Sequence, residues 1–169
     1  VCSSDLLSTK MISNGVVKPT DFLKHILEVA SSGYRLIILD DLDIEQDNVY
    51  VCRDEIPHHL LFPQSLVVIN HGGIGTIAKC LESNTPQIIV PQTPECQENS
   101  EYFEGFCGVI KPQDFNSNSL LELLNSKFYN SAVGIEYSHA VKQPYGLDII
   151  IKTLKNNKYF HGRDTKISR

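Results

Sequence analysis

The run Asn70-His71-Gly72-Gly73-Ile74-Gly75-Thr76 concentrates more chemistry than any other stretch of the 169 residues. It follows the apolar run Leu66–Asn70 (LVVIN) and precedes a helical pattern over Thr76–Glu82, so it falls where a strand hands over to a helix. Glycines there let a ligand approach the backbone closely. The start of a helix offers N–H groups without intrahelical partners and the positive end of a dipole, which suits an anion, most often a phosphate. Thr76 adds a hydroxyl at the same spot, and His71 adds a ring N–H that can donate to a phosphate oxygen. The same residues would also make a tight strand-to-helix turn that binds nothing.

Other residues compete for attention. Gly73-x-Gly75-x-x-Ala78 fits the dinucleotide fingerprint GxGxxG/A, and Glu95 lies 20 residues beyond Gly75, which keeps an NAD-dependent oxidoreductase open. Against it, the fingerprint normally occupies the first βα unit, whereas here an α/β unit precedes it. The strand that should end on the acid closes at Val90-Pro91, short of Glu95, and the fingerprint gives His71 no task. Asp40, Asp41, Asp43, Glu45 and Asp47 crowd one loop but lack the regular spacing of metal ligands, so they read as a solvated acidic loop. The adjacent pair His58-His59 is awkward for a metal and better suited to capping or nucleotide contact. His25, His139 and His161 read as surface residues. Cys80 and Cys107 read as small core hydrophobes. Cys96 is the one thiol near the candidate site, and nothing beside it in sequence would activate it.

The elements that must position these residues alternate. Phe22, Leu23, Ile26, Leu27 and Ala30 share one face of a helix that Thr20 can cap and Gly33 can end. Short strands follow at Arg35–Leu39, Val49–Cys52, Leu66–Asn70, Gln87–Val90 and Val109–Ile110, with helices over Thr76–Glu82, Glu98–Phe106 and around Leu120–Leu124. Leu147–Leu154 reads as a further amphipathic helix. Continuous apolar strands alternating with helices predict one α/β domain, a Rossmann-like parallel sheet flanked by helices.

Composition narrows the classes. Net charge is −5, from 15 basic and 20 acidic side chains, so no broad nucleic-acid footprint is expected. No apolar run approaches the roughly 20 residues that cross a bilayer. Five cysteines without a CxxC pair suggest neither a disulfide framework nor a zinc cage. Reduced thiols fit a cytoplasmic setting, with peripheral membrane contact left open. The opening Val1-Cys2-Ser3-Ser4-Asp5-Leu6 lacks an initiator Met and resembles the translation of a sequencing-adapter oligonucleotide. Residues 1–17 are therefore read as a truncated or non-native start, 18–155 as the ligand-binding domain and 156–169 as a tail.

Two blocks together resemble the C-terminal, donor-binding half of family-1 nucleotide-sugar glycosyltransferases of the GT-B fold, the group that includes sterol glucosyltransferases and macrolide or glycopeptide-antibiotic glycosyltransferases. The first runs from Asp54-Glu55-Ile56-Pro57-His58-His59-Leu60-Leu61-Phe62-Pro63 into Val67-Val68-Ile69-Asn70-His71-Gly72-Gly73-Ile74-Gly75-Thr76, with His71 thirteen residues after His58. It is similar to the family's VPHxxLFP … VVxHGGxGT. The second, Thr85-Pro86-Gln87-Ile88-Ile89-Val90-Pro91 with Glu95 and Asn99 beyond it, is similar to xPxLVVPxxxDQxxNA. The resemblance spans residues 18–154.

What the resemblance implies is specific. His71, Gly72, Gly73, Ile74, Gly75 and Thr76 would hold the diphosphate of a UDP- or dTDP-sugar. Ile56, Pro57 and His58 would contact base and ribose. Glu95, Cys96 and Asn99 would face the sugar, although Cys96 stands where the family usually has Gln, and a thiol is a poor partner for a hydroxyl. Neither metal nor cofactor is expected. The acceptor, a lipophilic or natural-product hydroxyl, and the catalytic base would lie in an N-terminal domain outside these residues. A sugar-nucleotide epimerase or a non-catalytic nucleotide-sugar-binding module would carry the same motifs.

Overall fold

A computed structural model describes residues 2–3, 18–54 and 56–126. Among these residues the strands are β1 (Cys2–Ser3), β2 (Leu36–Leu39), β3 (Val49–Cys52), β4 (Val68–Asn70), β5 (Gln87–Ile89) and β6 (Gly108–Val109). All pair parallel, in the order β3-β2-β1-β4-β5-β6. Cys2–Ser3, which the sequence sets ahead of the domain, thus fill the gap between β2 and β4, in register with Ile37–Ile38 on one side and Val68–Ile69 on the other. The order reverses direction at this centre. In doubly wound sheets that is where a ligand crevice opens, beyond the carboxyl ends of the strands.

Among the described residues five helices accompany the sheet: α1 (Pro19–Ser31), α2 (His58–Leu61), α3 (Ile74–Ser83), α4 (Pro94–Tyr102) and α5 (Ser117–Asn125). Phe22, Ile26 and Val29 of α1 pack with Leu36 and Ile38 of β2 and with Leu120 and Leu124 of α5. A second cluster joins Ile77 and Leu81 of α3 to Ile89 and Phe103. Val68, Ile69, Ile88 and Ile89 are fully buried. That is the reason these strands read as unbroken apolar runs rather than alternating ones.

Three helix starts differ from the sequence expectation, two of them for one reason. Thr20 does not cap α1: the N-cap is Lys18, and Pro19 takes the first helical position. Helix α4 begins at Pro94 rather than Glu98 and ends at Tyr102 rather than Phe106, with the Thr93 hydroxyl accepting from the Cys96 N–H. Proline suits the first turn because its fixed φ is already helical and its missing N–H would go unpaired there. Helix α3 starts at Ile74, two residues earlier than its apolar pattern suggests, so Ile74 and Gly75 belong to its first turn. Gly33 ends α1 as expected, with φ +96° and its N–H donating to the Ala30 carbonyl. The amphipathic stretch Leu147–Leu154, His139 and His161 lie outside the described residues.

Candidate functional site

Strand β4 ends at Asn70, and the chain turns at His71-Gly72-Gly73 into α3. Gly72 has φ +93°, a conformation that costs a side-chain-bearing residue dearly. Space forbids a side chain too: a Cβ there would lie 3.0 Å from the Cys96 carbonyl oxygen and 3.0 Å from Ile89 Cγ2. The N–H and the carbonyl of Gly72 are both held by side-chain amides. Asn70 Oδ1 accepts the Gly72 N–H at 2.9 Å, and Asn99 Nδ2 donates to the Gly72 carbonyl at 2.9 Å. Asn70 is itself fully buried and donates through Nδ2 to Gln87 Oε1 at 3.0 Å.

Gly73 occupies the N-cap of α3 with φ −65° and ψ 130°, and no side chain caps the helix. Thr76 and Ile77 return their N–H groups to the Gly73 carbonyl. Ile74 and Gly75 are exposed, and their N–H groups belong to the first turn, where an α-helix offers no intrahelical acceptor. Anion-binding capacity therefore gathers at one spot: open N–H donors, the positive end of a three-turn helix, the half-buried His71 ring and the Thr76 hydroxyl.

A cleft of about 430 Å³ opens at the same edge of the sheet, beyond β2 and β3. Ile56, Pro57 and His58 line it together with Asp40, Arg53 and Asp54. The His58 ring stacks on the fully buried Phe62 ring at 4.6 Å and 12°, which fixes the imidazole against the cleft wall. Arg53 bridges Asp41, at 2.8 Å, and Asp43. The acidic loop is thus neutralised in part by an arginine from the next strand end. Among the described residues no three His, Cys, Asp or Glu side chains gather as metal ligands. Because α2 packs against α3, cleft and glycine turn are neighbours along the carboxyl edge. Only β1 separates β2 from β4 in the sheet.

The three residues expected to face a sugar part company. Glu95 is exposed in the first turn of α4, where the helix dipole also favours a carboxylate. Cys96 does not face outward: it is 5% exposed, and its Cβ lies beneath Gly72. A small side chain suits this packing against the glycine. Asn99 is half-buried and spends its Nδ2 on the Gly72 carbonyl. His25 is half-buried rather than a free surface residue, bonded to Glu28 at 3.2 Å and edge-on to Phe115. Cys80 is buried as expected. Cys107 is half-buried.

Sequence reasoning missed the roles of Asn70 and Gln87. Their signal was available: an amide at the end of LVVIN and another at the start of QIIV, in strands otherwise apolar.

The dinucleotide reading loses ground on this geometry. The glycines follow β4, beyond the reversal of strand order, and not β1. Glu95 stands inside α4 rather than at the end of β5. No ribose-binding acid is therefore in the place that fingerprint needs.

Comparison with known proteins agrees with this. No family model matches the chain. Two sterol 3-beta-glucosyltransferases of Arabidopsis thaliana are 43% identical over 53 residues and 47% identical over 45 residues. These matches cover 31% and 27% of this chain but only 8% and 7% of the enzymes' own lengths. Among solved structures, the glycosyltransferase VinC in complex with dTDP matches 94% of this chain and 41% of its own at a TM-score of 0.68 and 18% identity. The spinosyn forosaminyltransferase SpnP matches 92% and 42% at a TM-score of 0.65 and 21% identity. The resemblance legible in the motifs is thus present in sequence and in fold: a Rossmann-like parallel sheet of the GT-B kind, similar over less than half of each of these enzymes. Among the described residues no helix is long and apolar enough to cross a membrane.

Proposed function

We propose that this chain is the nucleotide-sugar-binding half of an inverting glycosyltransferase, one that moves a hexose from a UDP- or dTDP-sugar to a hydroxyl of a lipophilic or natural-product acceptor. One observation carries the reading. An uncapped helix N-terminus behind a glycine turn stands beside a nucleoside-sized cleft on the same sheet edge, and the residues of both match the family's blocks.

In this reading His71, the cap N–H of Gly73 and the first-turn N–H groups of Ile74 and Gly75 hold the diphosphate, with Thr76 supporting them. Ile56, Pro57 and His58 take base and ribose, and Glu95 accepts hydrogen bonds from sugar hydroxyls. As the glycosidic bond breaks, negative charge builds on the diphosphate. Donors already aimed at that position stabilise the charged leaving group more than the bound sugar nucleotide, and this difference is what accelerates transfer. The imidazole and the helix end supply this without a metal. The base that deprotonates the acceptor belongs to residues outside this chain, so the chain alone binds nucleotide without transferring sugar. The expected setting is the cytoplasm. The similarity to sterol glucosyltransferases favours a lipophilic acceptor.

Calorimetric titration of the chain with UDP, dTDP and NAD tests the proposal. UDP or dTDP should bind, and His71→Ala should weaken that binding by about tenfold, the worth of one charge-assisted hydrogen bond. Binding of NAD in preference to both, or sugar transfer by the chain alone, would overturn it.

A further inference from the structure

We infer that Asn70 and Gln87 are positioning residues: a buried ladder of side-chain amides that aims the glycine turn at its anion. The inference rests on the donor-site reading above.

Direction runs through the ladder without ambiguity. The Gly72 N–H can only donate, so the Asn70 side-chain atom it meets at 2.9 Å is the oxygen. The Asn70 Nδ2 is then committed to the other side, and the atom it meets at 3.0 Å must accept, so it is Gln87 Oε1. That choice leaves Gln87 Nε2 buried with no partner. A buried amide donor left unpaired is a liability, and an apolar residue would fill the start of β5 without it. Gln87 is 1% exposed, and the other residues of β5, Ile88 and Ile89, are apolar and fully buried. What the glutamine alone provides is an acceptor that stops the Asn70 amide from rotating. With that amide fixed, the Gly72 N–H is fixed. Asn99 fixes the opposite end of the same residue through its carbonyl.

The consequence falls on the site. Gly72 links the end of β4 to the cap of α3 and takes φ +93°, outside both the strand and the helix. Clamping its N–H and its carbonyl sets the direction of the Gly73 peptide and the place of the His71 ring, which lies against Gly73. The ladder touches no ligand. It acts on the diphosphate through the turn, while the nucleoside cleft beyond β2 and β3 is built from other residues.

The test is a ratio. UDP and uridine, and dTDP and thymidine, are titrated by calorimetry into the wild-type chain, Gln87→Met and Asn99→Ala, with thermal melting of each. Gln87→Met removes the acceptor yet fills the buried space; Asn99→Ala loosens the clamp from a half-buried helix position should Gln87→Met fail to fold. The positioning role lowers the preference for UDP over uridine by about tenfold in a folded variant, as a small misalignment of preorganised donors does. Uridine affinity stays unchanged. A folded variant that keeps the wild-type ratio, or loses UDP and uridine affinity alike, overturns the inference and leaves the donor-site reading standing. A wild-type chain that prefers neither UDP over uridine nor dTDP over thymidine removes the donor-site reading and this inference with it.

Discussion

The imidazole of His71 lies so close over Gly73 that a Cβ added there would stand 2.8 Å from its Nε2. Gly73 is thus small to make room for a histidine two residues away in the chain. Its own backbone, at φ −65°, would suit other residues. The ring is the flexible end of a side chain and can yield. Gly73→Ala should therefore leave the melting temperature within a few degrees while pushing the ring out of place. UDP affinity should fall by about as much as in His71→Ala, roughly tenfold. Unchanged UDP affinity in a folded Gly73→Ala chain would mean that His71 does not hold the diphosphate.

Gly72 should behave in the opposite way. A side chain there meets a left-handed φ and two atoms at 3.0 Å, one of them a backbone oxygen that cannot swing aside. Gly72→Ala should lower unfolding free energy by about 1–3 kcal/mol from backbone strain alone, with the overlap adding to it. Urea denaturation measures this, and a loss below about 0.5 kcal/mol would contradict the packing of Cys96 and Ile89 around the turn.

In the nucleoside cleft, the stack of His58 on Phe62 predicts the mirror image of the glycine-turn variants. His58→Ala should weaken uridine and UDP by the same factor, because the phosphates lie elsewhere. A selective loss of UDP would move His58 from the nucleoside to the diphosphate.

Far from the site, Phe22 and Phe115 stack at 4.7 Å and 15°, both nearly buried, joining α1 to the segment before α5. Phe115→Ala should cost about 3 kcal/mol of unfolding free energy, the usual toll of removing a buried ring. UDP affinity at a temperature where the variant is folded should stay as in wild type. A stability loss under about 1 kcal/mol would show that the stack is peripheral.

Burial pushes the Cys107 thiol up to about 12, and the Glu104 carboxylate adds to the rise. In the unfolded chain a thiol ionises near about 8.5. A folded value above the unfolded one means that the stabilisation is complete below the unfolded pKa. It drains away as pH climbs toward the folded value. The urea midpoint of the wild-type chain should fall between about pH 9 and 11, and Cys107→Ala should fall less over the same range. Parallel curves for the two proteins would mean that the thiol ionises as freely in the folded chain as in the unfolded one.

The alternation of apolar runs and helical patterns was enough to place most elements, and Val49–Cys52 matches to the residue. The glycine turn was legible because its chemistry is local: a strand end, glycines and a helix start follow one another in the chain. Two helix starts were misread where proline opens the helix, at Pro19 and Pro94. There the pattern of apolar residues begins later than the backbone does, and the second misreading put Glu95 and Cys96 in a loop instead of a helical turn. The burial of Cys96 beneath Gly72 and the bond from Asn99 to Gly72 join residues 24 and 27 apart. Such pairs depend on how α4 lies across β4, which no local spacing encodes. The Asn70–Gln87 bond depends likewise on the register of two strands 17 residues apart.

That register dependence reaches into how the chain folds. Val68 pairs with Gln87 and Asn70 with Ile89, so the two amides meet diagonally on one face of the sheet. A slip of one residue between β4 and β5 would turn Gln87 to the other face, because side chains alternate along a strand. Apolar side chains would tolerate the slip, since both faces of these strands are greasy. The amides would not: Asn70 would be left in the interior without its acceptor. The ladder is therefore a proofreading device for strand pairing, and a sheet assembled out of step is penalised at the very residues that shape the turn.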